Sequence, residues 1–123
     1  MKRFTFPAAV LVVAMGVFGC SSSHEEGVRS DYRTQWTPVA ANTQVTTEAA
    51  AAELTAQGLK NVDSSSTGLD GRAEGKMADG TRVKVGVEKK NAGSQVEVTV
   101  GALGDPKLGA ELAKKIKMRA EGM

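Results

Sequence analysis

The chain has 123 residues, with 16 Lys and Arg against 14 Asp and Glu, 41% hydrophobic residues, 4% aromatic residues and one cysteine. That length holds one domain with a modest core, a single cysteine excludes an internal disulfide, and a formal charge of +2 is too small a field to recruit nucleic acid.

The chain opens on Lys2 and Arg3, continues with an apolar stretch from Phe4 to Phe18, and reaches Val17-Phe18-Gly19-Cys20. The apolar stretch, at about 15 residues, falls short of the roughly 20 that a spanning helix needs. Basic, apolar and small residues in that order mark an export signal. With Cys20 at its end the segment resembles a bacterial lipoprotein signal with its lipobox. The resemblance implies cleavage between Gly19 and Cys20, acylation of the Cys20 thiol and of the new amine, and anchoring to a membrane. Two acyl chains suffice for stable attachment, and such a lipidated cysteine is no catalytic nucleophile or metal ligand. Ser21 stands where an Asp is absent, which resembles the sorting pattern of Gram-negative outer-membrane lipoproteins and implies a domain facing the periplasm in such a host. Loss of Lys2 and Arg3 with residues 1–19 leaves 14 basic against 14 acidic residues, so no net field favours an anionic partner.

Residues 20–43 read as a lipidated flexible tether. Ser21-Ser22-Ser23-His24-Glu25-Glu26-Gly27 has no apolar periodicity and Pro38 adds a break. Flexible chain of that length spans on the order of 25 Å root-mean-square. Tyr32 and Trp36, the two aromatics outside the expected signal, both fall there. A linker has no use for large aromatics, so this segment is expected to dock, on its own domain, on a partner or at the lipid interface.

The expected domain occupies residues 44–121. Its first helix has Thr46 or Thr47 as N-cap, an apolar stripe of Val45, Ala49, Ala52, Ala56 and Leu59, and a stop at Gly58. A weak strand follows at 61–67, then a turn at Leu69-Asp70-Gly71. Three alternating strands come next, at 72–77, 81–89 and 95–100, burying Val83, Val85, Val87, Val96, Val98 and Val100. Between the first two of these, a two-residue Asp79-Gly80 turn would set Met77 opposite Arg82 and mix faces. A three-residue loop, Ala78-Asp79-Gly80, instead pairs Gly75 with Val83 and keeps apolar residues together, which predicts a left-handed Gly80. The same register sets Glu74 opposite Lys84, a solvated pair of little energetic weight. The last helix starts at Asp105 as cap with Pro106 in its first turn. It buries Leu108, Leu112, Ala113, Ile116 and Ala120 and collects Lys114, Lys115, Lys117 and Arg119 toward its C-terminus. The expectation is an α+β domain of order α-β-β-β-β-α: an antiparallel four-stranded meander with two helices packed on one face. The run from Gln57-Gly58-Leu59 to Val98-Thr99-Val100-Gly101-Ala102-Leu103-Gly104-Asp105 and the last helix is similar to small bacterial lipoproteins carrying a domain of unknown function. That resemblance, over about residues 42–121, implies an α+β fold in the envelope and brings no catalytic residues with it.

Candidate chemistry is sparse. His24, the sole histidine, lacks the second histidine of a zinc-peptidase helix. Ser64, Ser65 and Ser66 have no neighbouring base and read as edge-strand or turn serines. Gly101-Ala102-Leu103-Gly104 matches neither nucleotide-binding loop, and Asp105 would repel an anion from the helix start, so these glycines read as a tight corner. No enzyme, metal, cofactor or nucleic-acid partner is expected. The expected function is a non-catalytic, lipid-anchored envelope protein that serves as a structural or interaction module. Cys20 anchors it to the membrane; Tyr32, Trp36, Arg72, Glu74, Lys84 and Glu97 are candidate contacts to another envelope protein. The alternative is a periplasmic carrier of lipid or small ligand between helices and sheet.

Overall fold

The computed structural model describes residues 28–122. The expected signal at 1–19, Cys20, Ser21 and His24 lie outside the described residues. Two helices and six strands follow in the order β1 (Arg29–Ser30), β2 (Thr34–Val39), α1 (Thr43–Ala56), β3 (Lys60–Ser66), β4 (Asp70–Lys76), β5 (Arg82–Lys90), β6 (Gly93–Val100) and α2 (Pro106–Ala120). All strands join one six-stranded sheet, ordered β1-β2-β6-β5-β4-β3, with every pairing antiparallel. The α+β class agrees with the sequence reading, but the four-stranded meander does not. The meander from β3 to β6 is extended by β2 and β1, drawn from the segment read as tether.

Why β2 escapes a sequence reading is visible in its pattern. Its inward residues Gln35, Thr37 and Val39 are buried, yet two of the three are polar, so no hydrophobic alternation marks the strand. Pro38 is tolerated because β1 covers only Trp36 and Gln35. Its carbonyl accepts Lys117 Nζ at 3.1 Å, so the side of Pro38 that lacks an amide faces the open edge, where no ladder bond is lost.

The β4–β5 hairpin forms in the expected register, with Gly75 opposite Val83 and Glu74 opposite Lys84. Gly80 N donates to Met77 O at 2.9 Å and Gly80 has φ +91°, the left-handed residue of a three-residue loop. One sheet face carries Ala73, Val83, Val85, Val87, Val96, Val98 and Val100, all buried under the helices. Burial of each such valine contributes roughly 1.5–3 kcal/mol before entropy is counted.

Helix α2 follows expectation. Asp105 Oδ1 accepts from Leu108 N at 3.1 Å, Pro106 opens the first turn, and Leu112, Ala113 and Ile116 are buried. Helix α1 does not. Its cap is Asn42, whose Oδ1 accepts from Val45 N at 2.8 Å, and its inward face is Thr43, Thr46, Thr47, Ala49, Ala50, Glu53 and Leu54, while Val45 stays 42% exposed. Hydrogen bonding permits this rotation: Thr43 Oγ1 donates to Thr67 O and Thr47 Oγ1 to Thr43 O, each at 2.7 Å. The helix ends in a Schellman turn, Leu59 N donating to Leu54 O and Gly58 N to Thr55 O. Buried Glu53 ties the helices, its Oε1 accepting from Arg119 Nε at 3.2 Å and Nη2 at 3.1 Å, its Oε2 from Gln57 Nε2 at 2.6 Å.

Candidate functional site

With both helices on one face, the other face of the sheet is left open among the described residues. Antiparallel pairing sets its side chains in transverse rows. One row runs Arg29, Trp36, Glu97, Gly86, Arg72, Ser65 across all six strands. The next runs Thr34, Thr99, Lys84, Glu74, Asp63. Five of the residues singled out from sequence, Trp36, Arg72, Glu74, Lys84 and Glu97, therefore share one surface. The aromatic segment and the charged sheet face are the same place.

Trp36 is half-buried near the β1 edge of this face, and the Arg29 guanidinium sits 4.9 Å from its ring centroid, within cation–π range. Beside it, Glu97 reaches over Gly86: a side chain begun at Gly86 would have its Cβ 3.7 Å from Glu97 Oε1. Arg72 and Glu74, two apart and on the same face, form an ion pair at 2.6 Å. Glu74 lies opposite Lys84 in the ladder as expected, but its carboxylate is committed to Arg72. Exposure keeps that pair near the 0–1 kcal/mol of surface ion pairs, so it shapes the surface more than it stabilises the fold. The face presents a flat field of mixed charge with one large aromatic in it.

Tyr32 is separate from that row. It sits in the β1–β2 turn, 71% exposed, at the sheet end where β6 passes into α2. Gly104 fixes this corner: a Cβ there would come within 2.7 Å of Arg33 Cα and 2.8 Å of Tyr32 O. Arg29, Arg33, Arg82, Gly86 and Thr99 also line the open face or its rim and were not singled out from sequence. Gly86 carried a signal, since a glycine inside Val83–Val87 interrupts a good strand without reason unless something crosses it. Arg82 and Thr99 were legible by parity on the expected strands, opposite in phase to the buried valines, whereas Arg29 and Arg33 needed β1 and β2 to be recognised first.

Of the serines, Ser64–Ser66 lie exposed on the edge strand β3. Of the basic tail, Lys117 Nζ donates to Glu121 Oε2 at 2.8 Å and Arg119 to Glu53, so both cations have structural partners. The Lys117 bond and the Ala40 N–H, 2.7 Å from the same oxygen, hold the Glu121 carboxyl below its ordinary value. Hydrogen bonds from Thr81 hold Asp79 low in the hairpin loop. Among the described residues no helix is long and apolar enough to cross a membrane, and no group of three His, Cys, Asp or Glu is gathered to hold a metal.

No curated protein matches the chain. A family described as protein of unknown function (DUF3568) matches residues 8–119, taking in most of the apolar N-terminal stretch and all of the sheet-and-helix domain but its last residues; the chain belongs to that family.

Proposed function

We propose that this is a non-catalytic, lipid-anchored protein of the cell envelope whose domain recognises another envelope protein through its open sheet face. Cys20 carries the anchor, and in a Gram-negative host the domain stands in the periplasm at the outer membrane. The family match begins at residue 8 and so takes in Cys20 together with the domain, which supports one functional unit of anchor and module.

The observation that carries the reading is the row Arg29, Trp36, Glu97, Arg72. Trp and Arg are among the residues that most often dominate interface energetics, Trp by covering a large area with few torsions to fix and Arg through its preorganised planar fork of donors. Here they lie on a face that no helix covers among the described residues. Tryptophan is used nowhere else in the chain, and this one is spent outside the core.

In-cell photo-crosslinking from positions 36 and 84 tests the proposal, with acyl labelling that Cys20→Ser abolishes as the check on anchoring. The expected result is one discrete envelope protein trapped from position 36, with a weaker adduct or none from 84. An abundant, acylated protein that yields no adduct from either position would refute it.

A further inference from the structure

At one end of the open face the charges stop alternating. Arg82 and Lys84 stand two apart on the outward side of β5, and Arg33 arrives from the β1–β2 turn, seated by the close approach of Gly104 to its Cα. With Thr99, Gly101 and Ala102 they line a concavity of about 320 Å³. Like charges around one depression repel, and a fold tolerates that cost where an anion is meant to enter. Four carboxylates at this end are engaged elsewhere, and Glu97, one row away, lies over Gly86. Asp31 Oδ1 accepts from Arg33 N at 2.9 Å and Thr34 N at 3.2 Å, and Asp79 Oδ1 from Thr81 N at 2.9 Å. Asp105 caps α2 through Leu108 N, and Glu74 is bound to Arg72. Among the described residues no ion pair involves Arg33, Arg82 or Lys84.

We propose that Arg33, Arg82 and Lys84 form a binding pocket for a phosphoryl group. Two guanidinium forks and one ammonium match a tetrahedral oxyanion in charge and in donor number, the forks giving paired hydrogen bonds and the lysine a point charge. Thr99 brings a hydroxyl to the pocket wall. Its Oγ1 lies 3.1 Å from Thr34 Oγ1, so one hydroxyl of the pair donates to the other and the second keeps its proton for a ligand. The concavity leaves room for what the phosphate is attached to. That group is a lipid headgroup or a soluble phosphate. Leu103, 78% exposed, and Tyr32 stand at the same corner, an apolar margin suited to the first source. The pocket adjoins the partner-binding row at Lys84, and the readouts separate the two: phosphate-induced amide shifts report the pocket, and adducts from position 36 report the row.

The test uses the full chain, ¹⁵N-labelled, in neutral maltoside micelles at constant ionic strength. Inorganic phosphate and, separately, glycerophosphoglycerol are titrated while backbone amide shifts are followed. The expected result is saturable movement confined to the amides of Arg33, Lys84, Thr99 and Ala102. The exposed pair Arg82→Gln with Lys84→Gln should weaken it at least about tenfold while core amides stay in place. Saturation by glycerophosphoglycerol at lower concentration assigns the lipid source, and tighter binding of inorganic phosphate assigns the soluble one. Shifts that chloride reproduces, that survive the double substitution, or that fail to appear with both ligands overturn the proposal.

Discussion

Gln35 is the residue under most constraint in the core. It is fully buried, its Nε2 donates to Ser30 Oγ and Asp31 O at 3.0 Å each, and its Oε1 has no hydrogen-bond partner. Those two bonds lock the amide against Gly109 of α2, where a Cβ would overlap Oε1. Gly109→Ala therefore sets two effects against each other. Helix propensity favours alanine by up to about 1 kcal/mol. Overpacking against a side chain that cannot swing away costs about 1–3 kcal/mol. The net expectation is destabilisation by about 1–2 kcal/mol in urea denaturation. Gly68→Ala, with nothing within 4 Å of the new Cβ, should stay within about 0.5 kcal/mol of the parent. Equal effects of the two substitutions would remove the steric account. No such contact could be read in the sequence, where Thr34-Gln35 looks like linker and Gly109 like a flaw in a good helix.

Elements whose ends carry their own chemistry were legible. Asp105-Pro106 set the start of α2, and the alternation of Met77 and Val83 about Gly80 set the hairpin register, because a cap or a tight turn depends on a few adjacent residues. The face of α1 was not legible. Four consecutive alanines, Ala49–Ala52, make apolar periodicity nearly uninformative, and threonines satisfied by Thr67 O and Thr43 O go inward in place of Val45. Where α2 ends, Glu121 Oε2 ties it to β2 by accepting from Lys117 Nζ and from Ala40 N just past β2. A carboxyl held low in the fold stabilises it above the unfolded-chain value, and that contribution fades as pH falls through the folded value. Stability of the parent should thus exceed that of Glu121→Gln near neutral pH, with the gap narrowing below about pH 4.5. Thermal melts across that range check it; a gap that widens on acidification would show the sign to be wrong.

At the scale of the molecule, the decisive feature is that β6 needs β2. Their ladder runs from Thr34 opposite Thr99 to Val39 opposite Ser94, and it places Gln35, Thr37 and Val39 under α2. A chain cut at residue 44, where the sequence alone sets the domain boundary, would expose the edge of β6 and one flank of the core. It should lose cooperative unfolding in denaturant, whereas residues 28–122 keep a single transition; a cooperative 44–122 fragment would contradict this. The start of β1 at Arg29 also resets how far the protein can work from its anchor. With lipid on Cys20, the link to Val28 is eight residues instead of the 24 of the expected tether, at most about 29 Å when fully extended. On the proposed anchoring, a link that short keeps the start of the domain within about 29 Å of the acylated residue and raises its local concentration at the bilayer. On that proposal, the partner this domain selects must itself come to the membrane surface.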